Sequence, residues 1–288
     1  MPELPEVETM CRGIAEIVGR RVLAAELPRC DRRQIALSPT IGRFDRRVAG
    51  RRVSQVARLG KRLLIHLDDD QRIVIEPRMT GLVLLAAPPT LDHLRFRLRL
   101  SGRPRRELLF WDRRGLGTVR LMRSAEAARL LGPGRIGPDA LRITATELRT
   151  SLGGGRRAIK VALLDQRRVA GIGNIYAAEI LHLAGVDPRA RCDRLSGPQW
   201  QRIHAATGHV LGEAIRYEGS TLADGTYRNA LNQTGTYQKM HRVYDRQGER
   251  CGRCRCGVIR RIVQVGRSTY FCPVCQRRAG RHAAVVIG

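Results

Sequence analysis

The chain has 288 residues, 43% of them hydrophobic, which suits two folded domains and argues against wholesale disorder. Its 53 Lys and Arg residues against 26 Asp and Glu residues give a formal net charge of +27. The basic residues spread through folded-looking sequence, which excludes a basic tail and indicates a polyanionic partner, nucleic acid first of all. The first 20 residues lack the pattern of a secretory signal, and the most apolar short run, 82–87, is far below the ~20 residues that span a bilayer. We therefore expect an intracellular protein.

The first half of the chain changes from a helical to a strand-like pattern. Apolar residues at helical spacing predict a helix over 5–18, with Pro5 in its first turn. A period of two over 94–100 predicts a strand with one buried face and one arginine-rich face. Further strands are predicted at 52–56, 62–67, 72–75 and 108–111. Short strands broken by turn residues favour an antiparallel sandwich or barrel.

Helical patterns dominate the second half. Gly132-Pro133-Gly134 is the predicted linker, and helices are predicted over 159–164, 174–183 and 198–215, the last after the N-cap Ser196. A glycine-bearing turn at 166–173 delivers Asn174 to a helix start, where backbone N–H groups can bind phosphate. The alternative is an ordinary helical hairpin.

Five of the eight cysteines lie within 25 positions near the carboxyl end. Two Cys-x-x-Cys pairs 17 residues apart predict a closed four-thiolate zinc site, with Cys251, Cys254, Cys272 and Cys275 as its ligands. Cys256 is an alternative to Cys254, and a redox dithiol or a catalytic zinc is disfavoured. The spacer predicts a β-hairpin with Arg267 in its tip region, stabilised by roughly 10–16 kcal/mol of apparent zinc binding energy.

The amino terminus offers a nucleophile. A Met-Pro start favours removal of Met1, which leaves Pro2 with a free secondary amine. An α-amino group has a pKa near 8, so much more of it is unprotonated at neutral pH than of a lysine, and amines form Schiff bases with sugar carbons. Glu3 beside it can act as a general acid. The alternative is a proline that merely starts a helix.

From residue 2 to about residue 276 the chain resembles formamidopyrimidine-DNA glycosylase, in the family that also contains endonuclease VIII. The motifs that carry the resemblance are PELPEVET at 2–9, GK at 60–61, RMTG at 78–81, DRR at 112–114, IK at 159–160, LLDQ at 163–166, VAGIGNIY at 169–176, VY at 243–244 and FCPVCQ at 271–276. The resemblance implies an α+β protein of two domains. Its expected parts are a catalytic antiparallel β-sandwich domain with flanking helices at 1–131, a linker at 132–155, a helix-two-turn-helix domain at 156–240, a β-hairpin zinc finger at 241–276 and a tail at 277–288.

The same resemblance implies a bifunctional DNA glycosylase and abasic-site lyase of base excision repair that removes 8-oxoguanine and formamidopyrimidines. Pro2 would attack C1′ of the damaged nucleotide, Glu3 would protonate the sugar ring oxygen, and β- and δ-elimination would follow. Lys61 and Arg267 would grip phosphates beside the lesion, and Glu6 would support the site. The residues implied to bind DNA are the wedge Met79, His93, the reader of the opposite cytosine Arg114, Leu116, Lys160 and the phosphate ligand Asn174.

The expected partner is double-stranded DNA with oxidised bases or abasic sites, bound by a monomer with one structural zinc ion and no membrane contact, in the bacterial cytoplasm at the nucleoid. Leu116 stands where the family has an intercalating aromatic residue, Pro77-Arg78 precedes Met79 where Leu-Gly is usual, and Asp245 replaces a glycine. Two alternatives remain: an endonuclease VIII-like enzyme for oxidised pyrimidines, and a non-catalytic zinc protein that binds damaged DNA.

Overall fold

Alternating apolar residues in the first half of the chain form two β-sheets. The computed structural model describes residues 2–277. The strands of this half are β1 (Val22–Glu26), β2 (Ala36–Ser38), β3 (Val53–Leu59), β4 (Arg62–Leu67), β5 (Gln71–Glu76), β6 (Gly81–Leu84), β7 (Leu94–Leu100), β8 (Glu107–Asp112) and β9 (Thr118–Arg123). One sheet has the order β1-β7-β8-β6 and the other β2-β9-β5-β4-β3, and the pairs are antiparallel except for β2 with β9.

The two sheets pack face to face, which confirms the predicted β-sandwich. Buried side chains of both sheets form one apolar cluster, in which Phe96 and Phe110 of one sheet join Ile65 and Ile73 of the other. Period-two alternation places every second residue of a strand in this layer, so burial on one face selects the register. A smaller cluster that includes Val74 covers the outer face of the five-stranded sheet.

The predicted alternation along β7 fails at one residue. Leu98 and Leu100 lie in the inner core, but Leu94 belongs to a separate cluster on the outer face. The register of β7 against β8 shifts between Leu94 and Phe96, as at a β-bulge. A bulge turns the following side chains to the opposite face, so Arg95 is 1% exposed instead of lying on a solvated basic face.

Three helices accompany the sandwich: α1 (Leu4–Gly13), α2 (Ile41–Val48) and α3 (Ser124–Leu131). The predicted helix over 5–18 is shorter than expected, because α1 ends at Gly13 and a 3-10 turn, Ala15–Ile17, follows. A β-carbon on Gly13 would lie 2.5 Å from the β-carbon of Ala230, so this helix end requires a glycine for close packing.

The second half contains α4 (Ala145–Leu152), α5 (Ile159–Leu163), α6 (Asn174–Ala184) and α7 (Gly197–Arg216), followed by the hairpin strands β10 (Arg260–Gln264) and β11 (Arg267–Phe271). The bounds of α5, α6 and α7 agree with the predicted helices to within one residue. Ser196 caps α7 as predicted, since its hydroxyl accepts from the Gln199 N–H at 3.4 Å and its own N–H donates to the Gln199 side chain at 2.8 Å. None of the helices within residues 2–277 combines the length and the apolarity that a membrane span requires.

The described residues form two units. The first comprises 2–136 and 213–239, and the second comprises 137–212 and 240–277. This division differs from the sequence-based boundaries in two places: 132–155, expected as a linker, contains α4, and 213–239 belong with the sandwich. The predicted tail, apart from residue 277, lies outside the described residues.

Candidate active site and DNA-binding residues

The amino-terminal end of α1 buries the candidate nucleophile and acid together. Pro2 is buried, and Glu3, the N-cap of α1, is 1% exposed. The Glu3 N–H donates to Oε2 of Glu6 at 2.9 Å, a local bond across one helical turn. The other oxygen of Glu6 accepts from the N–H of Ser220 at 2.8 Å. Glu6 therefore joins the backbone of Glu3 to a segment more than 200 residues further along the chain.

The segment on the other side of Glu6 approaches it very closely. Gly219 has φ +80°, and a β-carbon there would lie 2.8 Å from Oε1 of Glu6. The hydroxyl of Tyr227 donates to the Glu6 carbonyl at 3.4 Å, and burial, followed by the Glu6 carboxylate, raises the pKa of that phenol well above its usual range. Glu6 was expected to support the site, but Ser220, Gly219 and Tyr227 were not predicted, since no local pattern links residues so far apart.

Residues 232–237 continue the segment that approaches Glu6. Tyr237 is fully buried and its N–H donates to the Gly219 carbonyl at 3.0 Å. Asn232 has φ +62°, and its side chain donates to the Ala87 carbonyl at 3.0 Å. Hydrogen bonds within the first unit thus hold this segment, close in sequence to the residues that hold Glu6.

Lys61 lies in the turn that connects β3 and β4. Leu59 and Arg62 are the last paired residues, so Gly60 and Lys61 form the turn, and Gly60 has φ +57°. The Arg58 guanidinium donates to the Gly60 carbonyl at 3.0 Å and to Glu8 at 2.8 Å, which fixes the base of the turn. Lys61 is partly exposed in this turn.

Met79, Arg114 and Leu116 lie in two neighbouring turns of the sandwich. Met79 follows β5 in a turn and is 39% exposed. Arg114 is exposed and Leu116 is partly exposed, both in the turn after β8. Because Gly81 at the start of β6 pairs with Asp112 at the end of β8, these two turns lie at the same end of the strands.

His93 stands directly before β7 and packs edge-on against Trp111, with ring centroids 5.4 Å apart. It is partly exposed. Burial, aided by the positive charge of Arg95, lowers the pKa of His93, so the ring is neutral at neutral pH and can donate or accept one hydrogen bond.

In the second unit a buried lysine lies at the start of α6. The Lys160 ammonium donates to Oδ1 of Asn174 at 2.6 Å, to the Ser268 carbonyl at 3.1 Å and to the Thr269 hydroxyl at 2.8 Å. These three acceptors match the three donors of an ammonium, and Lys160 is 0% exposed. The expected DNA-binding residue Lys160 thus has no accessible surface in this structure, and its ammonium faces protein acceptors.

Asn174 and Arg267 occupy positions that suit phosphate ligands. Asn174 is the first residue of α6, and its amide donates to the Ser268 carbonyl at 3.1 Å. Arg267 is the exposed first residue of β11, after a two-residue hairpin turn in which Val265 and Gly266 have positive φ. Lys160 thus ties the helix start of Asn174 to the strand that begins with Arg267.

The four predicted cysteines come together in the second unit. Their sulfur atoms all lie within 4.8 Å of one another in Cys251, Cys254, Cys272 and Cys275. The Sγ atoms are 3.7 Å apart between Cys251 and Cys275, and 3.7 Å apart between Cys254 and Cys272. Four thiolates bound at ~2.3 Å around one tetrahedral ion stand about 3.8 Å apart, so the donor set fits a structural metal ion.

Cys256 lies outside this cluster and is exposed. Arg255 has φ +59°, and this turn of the backbone carries the chain away from the cluster between Cys254 and Cys256. The Gly257 N–H returns to donate to Sγ of Cys254 at 3.3 Å. A β-carbon on Gly257 would lie 2.6 Å from Sγ of Cys272, so glycine is required there.

A buried carboxylate that no sequence pattern predicted anchors the segment that precedes the four-cysteine cluster. Glu179 of α6 is 0% exposed and accepts from the N–H groups of Arg242, Val243 and Tyr244 at 2.8–2.9 Å. Two of these donors form the VY motif at 243–244, so that motif supplies backbone donors to Glu179.

Comparison with known proteins agrees with this geometry. Residues 1–119 match the family model of the formamidopyrimidine-DNA glycosylase N-terminal domain, and residues 136–225 match that of the formamidopyrimidine-DNA glycosylase H2TH domain. The chain is 41% identical over 279 residues to formamidopyrimidine-DNA glycosylase of Chloroflexus aurantiacus, covering 96% of this chain and 98% of the relative. It is 36% identical over 278 residues to that of Solibacter usitatus, covering 96% and 100%.

Solved structures have the same fold. The MutM (Fpg) protein of Thermus thermophilus superimposes with a TM-score of 0.83 at 35% identity, covering 96% of this chain and 98% of that one. The Lactococcus lactis Fpg in complex with DNA that contains an abasic site superimposes with a TM-score of 0.85 at 30% identity, covering 96% and 100%. With both domain models matched in order and near-complete coverage of its relatives, the chain belongs to the formamidopyrimidine-DNA glycosylase family.

Proposed function

We propose that this chain is a bifunctional DNA glycosylase and abasic-site lyase of base excision repair that removes oxidised purines. One observation carries the proposal: in a chain of this family, Pro2 and Glu3 are adjacent at the buried start of α1 and are fixed there through Glu6. Solved relatives bind DNA with an abasic site, with Fapy-dG or with carbocyclic 8-oxoguanine, which supports oxidised purines as substrates. Such a substrate would place the protein at the nucleoid of a bacterial cell.

The chemistry requires removal of Met1, after which the Pro2 nitrogen is a secondary amine with a pKa near the ~8 of an α-amino group. Its lone pair attacks C1′ as the bond between C1′ and the base breaks; the Pro2 nitrogen loses its proton, and the base leaves with the bonding electrons and takes up a proton in exchange. Glu3 donates a proton to the ring oxygen, the sugar opens, and an iminium links C1′ to Pro2. Loss of a C2′ proton then expels the 3′ phosphate, loss of a further sugar proton expels the 5′ phosphate, and water hydrolyses the iminium to free the Pro2 amine.

The DNA-binding residues would divide between the two units. In the first unit Lys61 grips phosphate near the lesion, while Met79, Leu116 and Arg114 fill the gap and contact the orphaned base, and His93 contacts the strand. In the second unit Asn174 and Arg267 bind phosphates, and Lys160 positions both. Extrusion of the lesion costs a few kcal/mol, which contacts of this kind offset.

The four-cysteine cluster would hold zinc, because thiolate ligands in a closed tetrahedral set are the usual structural site for that ion. Zinc would cross-link the hairpin to the preceding segment. It would take part in no step of the reaction, since four protein ligands leave no open coordination position. We expect about one zinc ion per chain.

The proposal is tested by borohydride reduction in the presence of a duplex with one 8-oxoguanine. A lyase that acts through an amine gives a covalent protein–DNA adduct, and mass spectrometry of the digested adduct should place the DNA on Pro2. The variants Pro2→Gly and Glu3→Gln should reduce the adduct strongly. Folded protein without Met1 that gives no adduct would contradict the proposal, and would favour a protein that only binds damaged DNA.

Substrate preference is measured on matched duplexes with 8-oxoguanine or thymine glycol. We expect faster excision of 8-oxoguanine. The reverse order would assign the chain to the endonuclease VIII-like enzymes for oxidised pyrimidines.

A further inference from the structure

Two surface turns of the first unit are joined beneath the surface by a buried aspartate. Met79 lies in the turn between β5 and β6, and Arg114 lies in the turn between β8 and β9. Asp112, the last residue of β8, is 0% exposed, and Thr80, directly after Met79, is 4% exposed. The Thr80 hydroxyl donates a hydrogen bond to Oδ1 of Asp112. Gly81 pairs with Asp112 across the sheet, and this register places Thr80 beside the second turn.

The backbone of the second turn completes the connection. The Arg114 N–H donates to the Thr80 hydroxyl oxygen at 3.0 Å and to Oδ1 of Asp112 at 3.2 Å. The Gly117 N–H donates to Oδ2 of Asp112 at 2.7 Å. One carboxylate therefore holds the residue after Met79, the backbone of Arg114 and the end of the turn. Hydrogen bonds to a buried charge are the strong ones, and removal of one donor leaves the charge undersatisfied.

The main chain of Asp112 extends the connection to a third predicted DNA contact. Its N–H donates to the carbonyl of His93 at 2.9 Å, and its carbonyl accepts from Nε of the buried Arg95 at 2.9 Å. Asp112 thus fixes the relative placement of the segments that carry Met79, Arg114 and His93.

We propose that Thr80 and Asp112 are positioning residues that hold the Met79 turn and the Arg114 turn in one fixed arrangement, and that this arrangement sets discrimination of the base opposite the lesion. The inference rests on the proposed function, which assigns Met79 to the gap and Arg114 to the opposite base. A wrong base is rejected when contacting groups cannot move to accommodate it. A hydroxyl shared between the two turns supplies that restraint without touching DNA.

Thr80→Val tests the connection, because valine keeps the branched shape of threonine and lacks the hydroxyl. The ratio of kcat/KM for excision of 8-oxoguanine opposite cytosine to that opposite adenine should move towards one by about tenfold. Thr80→Ser, which restores the hydroxyl, should return the ratio to near the wild-type value. A Thr80→Val ratio equal to wild type, or a wild-type enzyme with no preference between the two bases, would overturn the proposal.

Two further measurements separate this proposal from the proposed function. Borohydride trapping on an abasic site depends on Pro2, and we expect Thr80→Val to retain it; loss of trapping together with a lowered melting temperature would make Thr80 merely structural and would also overturn the proposal. Amide hydrogen exchange needs no activity, and Thr80→Val should accelerate exchange at Arg114 by about tenfold. A wild-type protein that gives no adduct contradicts the proposed function, while unchanged exchange at Arg114 contradicts the connection itself.

Discussion

The ammonium nitrogen of Lys160 lies 2.6 Å from Oδ1 of Asn174, and the Lys160 side chain has no exposed surface. This contact fixes the orientation of the Asn174 amide, with its oxygen against the Lys160 ammonium. The amide nitrogen, which already donates to the Ser268 carbonyl, is then the end with a further proton to offer outward. The hydrogen bonds of the Lys160 ammonium to protein acceptors support the proposal that this lysine positions Asn174.

This arrangement predicts different salt dependences for two basic residues. Arg267→Ala removes a proposed phosphate contact, so the slope of log affinity against log salt should become shallower by about 0.9. Lys160→Met should weaken binding of a duplex with a tetrahydrofuran site at every salt concentration but leave the slope near wild type. Fluorescence anisotropy from 50 to 300 mM salt measures both. A shallower slope for Lys160→Met would return that residue to direct phosphate binding.

The close approach of Gly219 to Glu6 predicts that Gly219→Ala impairs the active site. The new methyl group would meet the Glu6 carboxylate at 2.8 Å, in a backbone with φ +80°. We expect a fall in kcat of tenfold or more and a loss of roughly 1–3 kcal/mol in stability. Excision rates under saturating conditions and chemical denaturation measure the two effects.

Gly225→Ala is the matched control. Gly225 has φ +60° with nothing within 4 Å of an added β-carbon, so the change carries the backbone strain without the contact. Equal losses of activity in the two variants would mean that strain in the loop matters and the contact with Glu6 does not.

The position of Cys256 outside the sulfur cluster predicts unequal effects of two serine substitutions. Cys254→Ser removes a member of the cluster and should lower bound zinc well below one ion per chain, with a marked loss of stability. Cys256→Ser, at an exposed side chain, should leave both unchanged. Atomic emission measures the zinc content of each variant, and thermal unfolding measures its melting temperature. A larger loss of zinc and stability in Cys256→Ser than in Cys254→Ser would transfer the ligand role to Cys256.

Burial of His241 predicts a loss of stability in mild acid. The side chain is 5% exposed, and burial, with help from the charges of Arg246 and Arg242 and against that of Asp245, lowers its pKa from 6.5 to about 4. Between these two values the unfolded chain binds a proton that the folded chain does not. The contribution of neutral His241 to the free energy of unfolding is complete above pH 6.5 and is lost as pH falls towards 4. The loss is about 2 kcal/mol between pH 7.5 and pH 5.

Urea unfolding of the wild type and of His241→Gln at both pH values isolates this contribution, since glutamine does not titrate. The wild type should lose more stability than the variant. Identical losses in the two proteins would assign the acid sensitivity to other groups.

The predicted strand over 62–67 coincides with β4, although both faces of β4 are covered, with Leu63 and Ile65 in the inner core and Leu64 in the outer cluster. Two other strands were not predicted from the sequence. All of β6 (Gly81–Leu84) is buried, so it has no alternation to detect, and β2 (Ala36–Ser38) is too short for a period. The bulge at Leu94 depends on pairing with β8 and leaves no local signal in the sequence.

The candidate site divides in the same way. Pro2, Glu3 and the four cysteines were found because their chemistry or spacing is local. Ser220, which holds Glu6, donates through its backbone, and a backbone donor has no residue-type signature. The motif that contains Lys160 was recognised in the sequence, but the burial of this lysine was not. It depends on contacts such as that with Thr269, 109 residues away, which only the tertiary structure reveals.

The division of the first unit into 2–136 and 213–239 also constrains how the protein is made. A ribosome releases Pro2 and Glu3 early, but the Ser220 amide that holds Glu6 emerges only after the helices of 137–212. A chain stopped before residue 213 would lack the Ser220 amide that holds Glu6, and would leave Leu84 and Trp111 without Tyr227 of their cluster. The end of the sandwich that carries Pro2 and Glu3 therefore completes its contacts last, although it is synthesised first.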